Sequence, residues 1–277
     1  MTYRELYTKY KKIVLSNNKE DTAVKLLIQE LSNFSSSDLY LNFDMEIDDE
    51  IYEKTIFAIN QYLVDGIPIQ YILGYTYFYG LKLVVNKNVL IPRRETEELV
   101  DWVIHNNPFD KPKVLDIGTG SGAIALTLKA NLNNCKVTAC DISEGALEVA
   151  KVNSEINELD IDFIQSDIFS NIKGKFNILV SNPPYIDKIE NTQELVLKNE
   201  PYLALFASEE GLYFYRVILE QAEKYLEKEN LIVFEIPEDK DIELEKIVKS
   251  NYPNSDYEIK KDLQGKSRIL IIRNNWR

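Results

Sequence analysis

The chain has 277 residues, 45% of them hydrophobic and 28% charged, an ordinary make-up for one large or two modest globular domains. Its 32 Lys and Arg against 45 Asp and Glu leave a net charge of −13, which disfavours duplex DNA or RNA as the main partner, because phosphate binding relies on Lys and Arg displacing counterions. Two cysteines (Cys135, Cys140) and one histidine (His105) exclude a disulfide framework, a structural zinc site and a His-rich metal centre, so no metal is expected.

Met1-Thr2-Tyr3-Arg4-Glu5 has no apolar signal region, and no run of about 18 apolar residues follows, so the expected location is cytoplasmic, with no membrane partner. Residues 1–75 hold no Pro or Gly before Gly66. Apolar residues recur there at helical spacing: Leu6, Tyr10, Ile13 and Val14, then Val24, Leu27, Ile28 and Leu31, then Ile51, Ile56, Ile59, Tyr62 and Leu63. Ser35-Ser36-Ser37-Asp38 reads as a break and an N-cap. A small helical domain over 1–75 is expected. From Gly66 the character changes, and alternation around Gly80 predicts a strand pair, a β-hairpin linker over 76–92.

From residue 113 strands and helices alternate. Lys113–Asp116, Val137–Asp141, Phe163–Gln165, Phe176–Val180 and Leu231–Phe234 read as strands. Ala123–Ala130, a segment from Ser143 to Asn157, Gly211–Leu226 and Ile242–Val248 read as helices. Tyr257–Lys261 and Arg268–Ile272, joined through Asp262-Leu263-Gln264-Gly265-Lys266-Ser267, close the chain as a hairpin. Repeated β-α units predict an α/β fold over 93–277 with a mostly parallel sheet and an antiparallel edge hairpin.

Asp116-Ile117-Gly118-Thr119-Gly120-Ser121-Gly122 is a strand end, a glycine turn and a helix start, which lets backbone approach a ligand and offers it unpaired N–H groups. Gly118-x-Gly120-x-x-Ala123 satisfies a loose dinucleotide fingerprint, so NAD must be weighed. Asp116 is placed to face a cationic ligand, which a pyrophosphate would not tolerate. Asp141 ends the next strand about 20 residues on, where a carboxylate accepts both ribose hydroxyls of either cofactor. Asp167 ends the third strand, placed to meet an adenine amino group. The set favours S-adenosyl-L-methionine over NAD.

Phe176–Val180 runs into Ser181-Asn182-Pro183-Pro184-Tyr185. Successive prolines remove two backbone donors and leave carbonyl acceptors. Asn182 adds a side-chain carbonyl and Tyr185 a flat aromatic wall, at the carboxyl end of a central strand where open α/β sheets bind ligands. That set suits methylation of a planar –NH2 group. Its two hydrogens would be accepted by the Asn182 side chain and the Pro183 carbonyl, and orientation would supply much of the rate.

These residues resemble the class I S-adenosylmethionine-dependent amino-methyltransferases, whose sheet is Rossmann-like. Three further stretches narrow the resemblance: Pro68-Ile69-Gln70-Tyr71-Ile72-Leu73-Gly74, Leu90-Ile91-Pro92-Arg93-Arg94-Glu95-Thr96-Glu97, and Asn199-Glu200-Pro201 with Ala204-Leu205. From about residue 66 onward the chain is similar to the peptide chain release factor glutamine N5-methyltransferases, the PrmC/HemK family.

The resemblance implies methylation of the glutamine in the Gly-Gly-Gln loop of bacterial class I release factors. It implies cofactor contacts at Gly118, Thr119, Gly120, Ser121, Gly122, Asp141, Asp167, Ile168 and Asn182, with the substrate amide in a cradle of Asn182, Pro183, Pro184 and Tyr185. The helical domain would grip the release factor. Two positions depart from the family pattern: Arg94 stands where a proline is usual, and Pro237 follows Glu235-Ile236 where a glycine is usual. Both are expected to touch only the local backbone.

The same cradle would also suit an adenine-N6 methyltransferase of DNA or RNA, but that needs a base-flipping surface and the charge argues against it. A glutamine methyltransferase of a ribosomal protein would share nearly every motif. Gly265-Lys266-Ser267 has the end of a P-loop, yet Lys260 stands where its first glycine is required.

Overall fold

The computed structural model of the chain describes residues 1–187, 194–262 and 264–276, and these fall into two compact units. Leu263, part of the expected closing connection, lies outside them. The first unit comprises Met1–Gly74 with Glu194–Asn199, and the second the described residues of Tyr75–Gln193 and Glu200–Arg277.

The first unit starts with five helices: α1 (Tyr3–Ser16), α2 (Thr22–Ser32), α3 (Ser36–Leu41), α4 (Asp49–Asn60) and α5 (Ile69–Leu73). Reciprocal capping boxes open two of them, Thr2 with Glu5 on α1 and Ser35 with Asp38 on α3. The predicted Ser35–Asp38 break is therefore a helix start. Leu6, Val14, Val24, Leu27, Ile28 and Ile59 are fully buried together in the core of this unit. A π turn, Gln61–Asp65, extends α4. The pattern from Gly66 onward predicts only a strand pair, but Ile69–Leu73 forms the short helix α5 first.

The second unit begins with β1 (Tyr75–Phe78) and β2 (Leu81–Val84), paired antiparallel through Tyr79-Gly80. Asn153 fixes this hairpin, its Oδ1 accepting the Val84 N–H at 2.6 Å and its Nδ2 donating to the Val84 carbonyl at 3.0 Å. Then follow α6 (Arg94–Asn106), β3 (Lys113–Ile117), α7 (Ala123–Asn131), β4 (Lys136–Asp141), α8 (Glu144–Ile156), β5 (Asp162–Gln165) and β6 (Phe176–Ser181). The turn of helix α9 (Glu194–Asn199) belongs to the first unit, where Asn199 donates to the Gly66 carbonyl at 2.7 Å. The chain closes with α10 (Tyr202–Leu205), α11 (Tyr213–Ala222), β7 (Leu226–Glu235), α12 (Asp241–Asn251), β8 (Asp256–Lys261) and β9 (Ser267–Asn274).

The seven-stranded sheet has the order β5-β4-β3-β6-β7-β9-β8. Its strands are parallel except β9, which runs against both β7 and β8. The closing hairpin thus occupies the edge, with β8 outermost and the antiparallel strand tucked inside it. Successive side chains point to opposite faces of a strand. Val114, Ile178, Val180 and Val233 therefore join α6 and α7 on one face, while Leu115, Leu179, Ile232 and Phe234 join α11 and α12 on the other. Burial on both faces is why these strands read as continuous apolar runs.

Two boundaries differ from expectation. Helix α11 ends at Ala222, and Leu226 already pairs with Phe176 as the start of β7, followed by a bulge at the charged Glu227–Glu229 stretch. Arg94 occupies the first position of α6, where proline is merely favoured, so the helix forms without it. No helix among the described residues is long and apolar enough to cross a membrane.

Candidate active site

The order of strands reverses between β3 and β6, and an open α/β sheet binds ligands in the crevice at such a point, outside the carboxyl ends of its strands. A cavity of about 320 Å³ opens there, within the range of small-molecule sites. Four strand ends supply much of its lining. Gly118 and Gly120 follow β3, Asp141 and Ile142 follow β4, Asp167 and Ile168 follow β5, and Asn182, Pro183 and Pro184 follow β6.

The glycine loop is held from behind. Gly118 and Thr119 both donate backbone N–H to the Cys140 carbonyl, at 2.9 and 3.0 Å. Asp116 is fully buried, and its Oδ2 accepts the Thr119 hydroxyl at 2.6 Å. Burial pushes its carboxyl up to about 7, against the Thr119 bond and a backbone N–H at Ala125. From its place two residues before the glycine turn, Asp116 is expected to face a ligand. The structure instead puts it on the Val114 side of β3 beneath α7, where it braces the loop. Thr119, Ser121 and Gly122 likewise sit behind the wall, and Asn153 ties the Ser121 carbonyl at 2.9 Å.

Gly118 and Gly120 have φ of +72° and +54°, and a Cβ at either would meet nothing within 4 Å. The loop therefore presents bare backbone to open cavity, the form of a cradle for a bound group. Beside it, Asp141 accepts the Gly120 N–H through Oδ2 and the Ser143 N–H through Oδ1, each at 2.9 Å. Burial raises this carboxyl above its ordinary range, while those backbone donors oppose the shift. Its orientation is thereby fixed, leaving further lone pairs for a diol. Ile168 adopts φ +49°, strained for a β-branched residue, and its carbonyl accepts the Ser166 hydroxyl at 3.0 Å.

On the β6 side Asn182 and the two prolines line the cavity. Tyr185 is not among the lining residues: it packs against the core on the Phe234 side of the sheet, and burial first, then the Glu235 carboxylate, push its hydroxyl up to about 12. The expected aromatic wall is supplied by Tyr213 and Phe214, which meet edge to face at 5.2 Å. These two, with Ile142, Pro201 and Leu203, were missed in the sequence reading. Ile142, the apolar residue directly after the strand-end Asp141, carried a readable signal. The Asn199-Glu200-Pro201 stretch gains a physical role too: buried Glu200 accepts the Ile91 N–H at 3.1 Å and pairs with Arg93 at 2.6 Å, clamping two cavity-lining segments together.

Glu235, at the end of β7, is also fully buried, and its carboxyl is pushed up to about 7 by burial, against a bond from Thr96. Up to about pH 7, Asp116 and Glu235 hold a proton in the folded chain that the unfolded chain releases near pH 4. Their contribution to stability therefore falls as pH rises from about 4 to about 7, and levels off above. Denaturant midpoints measured near pH 5 and pH 8 are expected to drop less in Glu235→Gln than in the wild type. An equal drop in both would show that Glu235 contributes nothing to this dependence.

A family model described as the PrmC N-terminal domain matches residues 5–74, and one described as the methyltransferase small domain matches residues 99–205. The chain is 38% identical over 275 residues to the release factor glutamine methyltransferase of Streptococcus pneumoniae, covering 98% of each chain. It is 37% identical to that of Flavobacterium psychrophilum, covering 98% of this chain and 97% of the relative. Among solved structures, a methyltransferase from Pyrococcus furiosus superposes with a TM-score of 0.54 at 19% identity, over 82% of this chain and 98% of that one, which speaks to the fold alone. Matching relatives of this name from end to end, with a methyltransferase cavity at its sheet's switch point, the chain belongs to the release factor glutamine methyltransferase family.

Proposed function

We propose that this protein transfers a methyl group from S-adenosyl-L-methionine to the side-chain amide nitrogen (N5) of the glutamine in the Gly-Gly-Gln motif of bacterial class I release factors, in the cytoplasm. The observation that carries the reading is one cavity bounded by an open glycine cradle on one side and Asn182-Pro183-Pro184 on the other.

When bound, S-adenosylmethionine supplies an electrophilic methyl group on a sulfonium. The residues present fit it. Bare backbone at Gly118 and Gly120 leaves room for its chain, and the braced Asp141 carboxylate suits ribose hydroxyls. Asp167 and Ile168 offer an acceptor and an apolar edge for adenine. Asn182 and the Pro183 carbonyl then accept the two amide hydrogens of the glutamine. An amide nitrogen is a weak nucleophile because its lone pair is delocalised, so fixing it and drawing on its hydrogens is what the cradle contributes. No strong base is needed, since the methylated nitrogen sheds its proton readily.

We assign substrate recognition to the helical part over 1–75, a linking role to the hairpin region 76–92 and catalysis to 93–277. The separate family models for residues 5–74 and 99–205 support that division. The net charge of −13 supports a protein substrate, with no direct nucleic-acid contact and no membrane.

Purified protein with labelled S-adenosylmethionine is expected to label a bacterial release factor, and Gln→Ala in that factor's Gly-Gly-Gln loop to abolish the label. S-adenosylmethionine is expected to raise the thermal midpoint and NAD to leave it unmoved. Equal labelling of the altered factor, or label in nucleic acid or a ribosomal protein instead, would overturn the substrate assignment.

A further inference from the structure

Behind the cradle lies a chain of hydrogen bonds that the reaction itself does not require. The Asn182 Nδ2 donates to the Thr96 Oγ1 at 3.3 Å. The Thr96 hydroxyl donates to the Glu235 Oε2 at 2.6 Å, a buried contact between residues 139 apart in sequence. Glu235 is itself anchored, its backbone carbonyl accepting the hydroxyl of fully buried Tyr215 at 2.8 Å. Thr96 and Glu235 are 4% and 2% exposed, so water does not compete for these bonds.

The order of donors fixes a direction. A hydroxyl has one hydrogen, and above about pH 7, where the Glu235 carboxylate is ionised and can only accept, that of Thr96 is committed to its Oε2. Its oxygen can then only accept from Asn182, which must turn its NH2 group toward Thr96 and its carbonyl away. We infer that Thr96 and Glu235 are positioning residues that lock the side-chain amide of Asn182 with its carbonyl oxygen presented to the cavity. An unlocked amide would flip between two nearly isosteric states, and the flipped one presents a donor. It would meet the carbonyl oxygen of a substrate amide and turn the reacting nitrogen away. The lock therefore selects a ligand that donates two hydrogens, a primary amide, over a carboxylate of the same shape. Bonds in such a chain also polarise one another, which strengthens the acceptor at its end.

This inference rests on the proposed reaction, and its test separates the two. Thr96→Val keeps shape and removes the hydroxyl, whereas Thr96→Ser keeps the hydroxyl. In release-factor methylation at pH 8, where Glu235 is ionised, Thr96→Val is expected to lower kcat by about 100-fold, the scale of a misplaced reacting group. Its affinity for S-adenosylmethionine and its thermal midpoint are expected to stay near those of the wild type, with Thr96→Ser restoring most of kcat. Glu235→Gln, which can still accept from Thr96, is expected to behave like Thr96→Ser. Selective ¹⁵N-asparagine labelling gives a readout independent of turnover. The Asn182 NH2 protons, assigned by their loss in Asn182→Ala, are expected to be protected from solvent exchange in the wild type and Thr96→Ser, and exposed in Thr96→Val. Equal kcat in Thr96→Val and wild type, equal loss in Val and Ser, or unprotected Asn182 protons in the wild type would overturn the lock. Protected protons in a wild type that labels no release factor would instead leave the lock standing and overturn the proposed substrate.

Discussion

Asn182→Ala is expected to cut turnover of release-factor methylation by about 100-fold or more, equivalent to about 3 kcal/mol of transition-state stabilisation. The side chain is half-buried at the end of β6 and lines the cavity beside Pro183. Truncating it removes one of the two acceptors for the amide hydrogens, and those hydrogens grow more acidic as the nitrogen gives up its lone pair. The contact therefore strengthens toward the transition state, so the loss should fall on kcat more than on KM. The fold should tolerate the change, since the variant gives up a single long bond to Thr96 and creates no buried charge. Parallel measurement of kcat, KM and the thermal midpoint decides the matter. A rise in KM at unchanged kcat would mean that Asn182 only binds substrate.

How much of this site was legible in the chain follows the range of each contact. The glycine turn, Asp141 and Asn182 each sit at the end of an apolar strand, so local pattern was enough to find them and to pair them with a chemistry. Ser35 was legible as a cap for the same reason, because its partner Asp38 lies three residues away. Thr96 and Glu235 were not legible as partners. Neither residue type is unusual, and only the folding of α6 over the end of β7 brings them to 2.6 Å. Glu200 is similar: its motif was quoted, but its clamp on Ile91 and Arg93 spans more than a hundred residues.

Asp116 and Tyr185 show a subtler gap. Their positions in the motifs were read correctly, but which side each presents depends on pleat and packing. Alternation along β3 sets Asp116 with Val114, facing α7, and a residue-by-residue reading of that strand would have turned it away from the cavity. For Tyr185 no local rule exists, because its environment is made by Glu235 and Arg268 from strands far along the chain. The aromatic wall it was expected to form comes instead from Tyr213 and Phe214 at the start of α11.

That same helix start carries the second large effect. Gly211, two residues before α11, has φ +87°, and a Cβ built on it would lie 2.2 Å from the Tyr185 carbonyl oxygen and 3.0 Å from its carbonyl carbon. Both atoms are backbone, so no rotamer change relieves the clash. The Asn182–Tyr185 segment, or the Gly211 turn, has to move. Gly211→Ala is therefore expected to cost about 2–4 kcal/mol of stability from overlap and left-handed strain together. It should also lower turnover more than that destabilisation explains, because any shift of Tyr185 is passed through Pro184 and Pro183 to the acceptors. Gly174→Ala separates the two contributions. Gly174 has φ +94° but nothing within 4 Å of a built Cβ, so it carries the strain without the clash. Its loss of stability should be smaller and its kcat, measured well below its melting range, that of the wild type. If Gly211→Ala and Gly174→Ala prove alike in both stability and kcat, the close approach of the Gly211 turn to Tyr185 does not shape the cradle. If Gly211→Ala alone loses kcat at a temperature where it is fully folded, the geometry of the reacting nitrogen is held from below by the missing side chain of a glycine outside the cavity wall.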